Sequence, residues 1–227
     1  MSNPLVAAKQ DSTTWHSGIN IIDDAASAYD GISSWTRSAA TVCRTPGKAA
    51  PSVEADELDA LRFEDPAVRR TSLLALRPPA ADTNWWLGVV QHVTLRATGP
   101  DTPDGERRAW AELAVTVLET ALETGGLDER EVATREAGLS LVLPAGARPE
   151  SLRPDRVVRR CLDLAGLTPA EAAAASWSPC AEDVPVMRKL RRVRIVVVPA
   201  LALSSQIQDD ELRRELDEWQ AVVPTLP

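Results

Sequence analysis

Two histidines, three cysteines and a scatter of serines are the side chains from which this 227-residue chain would build acid–base, nucleophilic or metal chemistry. A general base needs an orienting partner and a cleft. His92 lies in "VVQHVTL", on a predicted helix with Trp85 and Trp86 upstream, and has no acidic residue at helical spacing. It reads as a half-buried structural residue. No serine stands in a G-x-S-x-G elbow, and no glycine-rich loop is followed by the lysine that cradles phosphates. Cys43, Cys161 and Cys180 form no C-x-x-C pair, and His16 and His92 complete no zinc spacing. The cysteines read as small apolar fillers of a reducing cytosol, with a single bridge such as Cys161–Cys180 as the alternative. No catalytic residue, metal site or cofactor is therefore expected.

Charge offers more. The net charge is −8 and the pI about 4.9, a balance that disfavours nucleic acid and anionic membrane as partners. Against it stands "RKLRRVR", with Arg188, Lys189, Arg191, Arg192 and Arg194. On a helix these five cannot all point one way, because Leu190, Val193 and Val197 keep an apolar stripe between them. The run is either a partner-binding helix or a solvated face. The acidic clusters Asp23-Asp24 and Asp209-Asp210-Glu211 fall near predicted helix starts, where carboxylates favour the macrodipole. No apolar run reaches the roughly 18–20 residues of a membrane span, so no transmembrane segment is expected.

The elements that must carry these residues are helical almost throughout. Asp65-Pro66 is a cap followed by a first-turn proline, and Val68, Ser72, Ala75 and Leu76 would be the buried face of that helix. Trp86, Val89, Val90 and Val93 make the next stripe. The strongest runs through Trp110, Leu113, Ala114, Val117, Leu118, Ala121 and Leu122 and closes on Gly125-Gly126. A further helix starts at Asp128, but "GLSLVL" at 138–143 alternates, leaving helix and an extended finish both open. Val157, Val158, Cys161, Leu162 and Ala165 restore the helical period, Gly166 ends it, and Thr168-Pro169 with Glu171 have capping-box spacing. The segment around Pro199 reads as a long helix bent at the proline, with a strand at 194–198 as the competing assignment. Leu212, Leu216 and Trp219 mark the last helix. The expectation is an all-α, irregular bundle of about seven or eight helices over 58–227, preceded by a leader at 1–35 and a linker at 36–57.

The leader opens "MSNPLVAAKQDSTTWHSGINIIDDAASAYDGISS". Ile19, Ile22, Ala25, Ala26 and Tyr29 share one helical face, behind the cap candidates Ser12, Thr13 and Thr14. A helix so short is marginal in water and needs a surface to cover that face. The segment resembles the N-terminal trafficking region of polymorphic toxins linked to type VII secretion in high-GC Gram-positive bacteria. The likeness rests on Met1–Val6, Gln10–Thr14, Ser17-Gly18-Ile19, Asp23-Asp24-Ala25 and Asp30–Ser34. It covers about one seventh of the chain; the glycine-rich hairpin usual after this segment does not follow Ser34. The resemblance implies either a type VII secreted protein or a cytoplasmic member of a toxin locus, with a secretion component, cognate toxin or adaptor as partner. Residues 58–76 are also similar to the second half of a HEAT-type repeat, although no second copy follows at a fixed period.

Taken together, the sequence reads as a non-enzymatic helical interaction protein with a secretion-type leader. A cytosolic immunity or adaptor protein and an effector enzyme with a dispersed site are the alternatives. Ile19, Ile22 and Tyr29 in the leader and Arg188, Lys189, Arg191, Arg192 and Arg194 in the body are the candidate contact residues.

Overall fold

The computed structural model describes residues 55–176 and 184–226, which all fall within the unit Pro46–Pro227. The leader residues Ile19, Ile22 and Tyr29 lie outside the described residues, as does Cys180. Among the described residues the architecture is all-α. Nine α-helices follow one another: α1 (Ala55–Ala60), α2 (Pro66–Leu76), α3 (Thr83–Thr98), α4 (Asp104–Glu123), α5 (Glu129–Val142), α6 (Pro154–Ala165), α7 (Pro169–Ser176), α8 (Val184–Ala202) and α9 (Asp210–Val222). Short 3₁₀ turns, such as Leu61–Phe63 and Glu150–Leu152, make several of the corners. The first helix therefore begins inside the last residues of the expected linker.

Side-chain caps set many of the boundaries. Asp65 accepts from the Ala67 N–H at 2.8 Å, and Asp82 from the Trp85 N–H at 3.1 Å. Asp128 and Glu131 satisfy each other's backbone N–H groups in a capping box. Thr168 and Glu171 do the same: the Thr168 N–H donates to Glu171 at 2.8 Å, and the Glu171 N–H to the Thr168 hydroxyl at 3.2 Å. Gly166 ends α6 at φ +62°, a conformation other L-residues resist.

Helices α3 and α4 pack lengthwise on each other, α6 lies along α8, and α5 joins the two pairs by contacting α4, α6 and α8. The apolar stripes meet at the centre. Trp86, Val93, Leu113, Val117 and Leu118 are fully buried, and so are Val158, Cys161, Leu190, Val197, Leu216 and Trp219. Each large side chain so covered stabilises the fold by about 1.5–3 kcal/mol.

Two open alternatives resolve as helix, and one expectation changes. Residues 138–142 stay helical to the end of α5, because Leu139 and Ser140 both face inward and the Ser140 hydroxyl donates to the Leu152 carbonyl at 2.8 Å. A buried serine with that bond mimics neither a helical nor a strand pattern in sequence. Residues 194–198 are helical as well, and α8 continues through Pro199 to Ala202. Helix α2 is turned relative to its expected face: Val68 is 52% exposed, while Arg69 and Leu73 are buried. Arg69 tolerates burial because its guanidinium donates to the carbonyls of Leu61 (3.1 Å), Arg62 (3.3 Å) and Glu64 (3.2 Å), tying α2 to the preceding turn.

Candidate functional site

The basic run falls on the first half of α8. Leu190, Val193, Val196 and Val197 bury one face of that helix. Arg188, Arg191 and Arg192, spaced i, i+3 and i+4, stand exposed on the other. Lys189 is exposed at the flank nearest α7, where it adds a minor pull to a Glu171 carboxyl already held below its ordinary range by the Thr168 backbone N–H and hydroxyl. Arg194 departs from the group: it is half-buried and donates to the Leu226 carbonyl at 3.1 Å. No ion pair joins Arg188, Arg191 or Arg192 to another described residue, and beside them Met187 is 38% exposed. All three lie beyond the first turn of α8, where the macrodipole neither favours nor opposes them.

His92 has the acidic partner that sequence spacing hid. Its Nε2 lies 2.6 Å from Asp59 Oδ1, across 33 residues of chain, and Arg96 donates to the other carboxylate oxygen at 2.9 Å. The Trp110 ring meets the imidazole edge-on at 6.4 Å, and the Arg62 guanidinium lies 4.6 Å from the centre of the same indole. Both oxygens of Asp59 are thus engaged, and no Ser, Thr or Cys side chain among the described residues hydrogen-bonds to the imidazole. The cluster fastens α1 to α3 and α4.

An ion pair with a buried carboxylate joins α5 to α6. The Glu136 carboxylate, almost wholly enclosed, accepts two bonds from Arg160 at 2.8 and 2.9 Å. Burial pushes the Glu136 carboxyl above its ordinary range further than Arg160 draws it back. Glu119 is raised too, by burial and by the neighbouring Glu123. The adjoining Cys161 thiol is pushed up to about 12, chiefly by burial, so it is inert as a nucleophile at neutral pH. No group of three potential metal ligands occurs among the described residues.

An open groove of about 290 Å³ runs between α6 and α9. Leu162 and Leu212 are its buried apolar members, and Arg159, Asp163, Glu211 and Glu215 its exposed polar ones. Arg159 is spoken for by Asp209, whose carboxyl also caps α9 by accepting from the Glu211 and Leu212 N–H groups. Asp163, Glu211 and Glu215 have no ion-pair partner among the described residues. Capping accounts for Asp209 in the acidic 209–211 cluster, but the groove depends on α9 lying beside α6, which no local sequence pattern encodes.

No family model, curated protein or solved structure matches this chain. Among the described residues no helix is long and apolar enough to cross a membrane.

Proposed function

We propose that this chain is a helical protein-interaction module, carried by a leader of type VII toxin-locus type, that engages its partner through the basic start of α8. The observation that carries the reading is the set Arg188, Lys189, Arg191 and Arg192, exposed beside Met187 on a chain of net charge −8. In a strongly acidic protein such a local reversal of sign steers an acidic partner into one orientation. Its arginines and neighbouring thioether are also side chains favoured in interface cores. The partner class is a secretion component, a cognate toxin or an adaptor. Leader deletion and charge reversal separate the two halves of the proposal. Removing residues 1–34 abolishes any appearance in the culture medium, whereas Arg191→Glu with Arg192→Glu abolishes partner capture and leaves export intact. Retention in the cytosol with and without residues 1–34 removes the export half and leaves a cytosolic immunity or adaptor role. Unchanged partner capture by the charge-reversed chain removes the interaction half.

The Asp59–His92 contact favours a second reading, an effector enzyme with His92 as base. Under that reading His92→Gln destroys effector activity far beyond what any loss of folded protein explains. Under the interaction reading the same change alters only stability.

A further inference from the structure

The basic start of α8 and the acidic groove between α6 and α9 belong to one chain and carry opposite charge, and among the described residues Arg188, Arg191, Arg192, Asp163, Glu211 and Glu215 have no ion-pair partner. We propose that they are partners of each other between copies: the start of α8 of one molecule docks into the α6–α9 groove of the next. This rests on the interaction reading above and names a second copy of the chain as the occupant.

Among the described residues no ion pair joins Arg188, Arg191 or Arg192 to Asp163, Glu211 or Glu215 within one molecule. The start of α8 lies by α7 and the C-terminus, as the Lys189–Glu171 attraction and the Arg194–Leu226 bond place it. The start of α9, at one end of the groove, lies by the opposite end of α8. There Ser204–Gln206 leads into Gln208 and Asp209, whose N–H groups donate to Asp155 at 3.1 and 3.4 Å. At about 1.5 Å of rise per residue, Arg192 is about 15 Å along the helix from Ala202 and Arg188 about 21 Å.

Chemistry makes the two surfaces fit. Arg188, Arg191 and Arg192 offer forked donors to Asp163, Glu211 and Glu215. Met187, unbranched and exposed, is the apolar side chain beside those cations, and Leu162 and Leu212 are the apolar residues of the groove. Because the two surfaces are different patches, the contact is head-to-tail and builds rings or short filaments rather than a two-fold dimer. The contact is small and charged, so it is weak, and salt dissolves it as the Debye length contracts from about 10 Å at about 0.1 M to about 3 Å at about 1 M.

Lysine content makes the test direct. The whole chain has lysine only at Lys9, Lys48 and Lys189. Equal amounts of ordinary and ¹⁵N-labelled full-length chain are treated with a carbodiimide, which joins a lysine amine to a carboxylate with loss of water. The proposal predicts mixed-isotope peptides linking Lys189 to Asp163, Glu211 or Glu215, while Lys189–Glu171 links remain within one copy. Sedimentation then shows salt-reversible assembly. Arg191→Glu/Arg192→Glu and Glu211→Arg/Glu215→Arg each abolish it, and mixing these two variants restores it, because reversed charge meets reversed charge. All four positions are exposed, so both variants fold, with helical circular dichroism as the check. A monomer at low salt and high concentration overturns the proposal, and so does assembly indifferent to both reversals. If the chain stays monomeric while a foreign acidic protein still binds the start of α8, self-assembly falls and the interaction reading stands. If charge reversal at α8 affects neither, both fall.

Discussion

Gly126 closes α4 where the chain turns towards α5, and its backbone lies against the Trp86 indole. A Cβ built there would stand 2.0 Å from Trp86 Cδ1, 2.4 Å from Nε1 and 2.7 Å from Cγ, far inside contact distance. Trp86 has no room to retreat: it is fully buried, and its ring meets Trp85 edge-on at 4.7 Å. Gly126→Ala must therefore move either an indole in the core or the turn itself, and overpacking of this kind costs about 1–3 kcal/mol. Two neighbouring substitutions calibrate the figure. Gly125→Ala meets nothing within 4 Å but forces alanine to φ +70°, so its cost is backbone strain of about 1–2 kcal/mol. Gly146→Ala meets nothing and has no positive φ, so it is neutral or stabilising by up to about 1 kcal/mol. Urea unfolding followed by tryptophan emission ranks the three. At about 2–4 °C per kcal/mol for a domain of this size, Gly126→Ala lowers the melting temperature by several degrees. If it unfolds within about 0.5 kcal/mol of the parent, the packing of α3 on the α4–α5 turn is misassigned.

Glu136 and Glu119 both have carboxyls raised above the ordinary 4.5, so above that pH the folded chain retains protons that the unfolded chain has released. Stability then falls as pH rises from about 4.5 through the raised values, and Glu136→Gln flattens that slope in urea titrations at stepped pH. Arg160→Met leaves Glu136 buried without its cation. It costs about 2 kcal/mol at pH 7, less than a fully buried orphan because Arg160 is itself 36% exposed, and the deficit shrinks on acidification. Cys161 reacts with thiol reagents at neutral pH only as fast as the bundle opens, which peptide mapping after timed alkylation measures. Arg69→Met strands the carbonyls of Leu61, Arg62 and Glu64, costs about 1–3 kcal/mol in urea unfolding, and speeds amide exchange in the 61–64 turn.

What the sequence made legible was local. Asp65, Asp128, Thr168 with Glu171, and Gly166 act within a turn of the residues they cap, so their identities alone place helix ends. The stripes of α4, α6 and α9 were readable because each is uniformly apolar over several turns. Helix α2 was misread in orientation because its buried face includes Arg69, which no hydrophobic pattern assigns to an interior. Residues 138–142 stay ambiguous in sequence because of Ser140, whose inward bond to Leu152 depends on a chain segment twelve residues away. The site features were less legible still. Asp59–His92 spans 33 residues and Arg160–Glu136 spans 24, and neither separation matches a helical repeat. The five-cation run was visible, but only its packing separates Arg194, bonded to Leu226, from the four that face outward.

The start of α8 as a contact surface is tested most directly by a photo-cross-linking amino acid at Met187 of the full-length chain in the producing cell, with the same probe at the slightly more exposed Val142 as control. Illumination is predicted to yield a defined adduct at position 187 whose linked peptide is acid-rich, from a second copy or a distinct partner, and none at 142. Absence of an adduct at 187, or adducts of equal yield at both positions, would contradict the account.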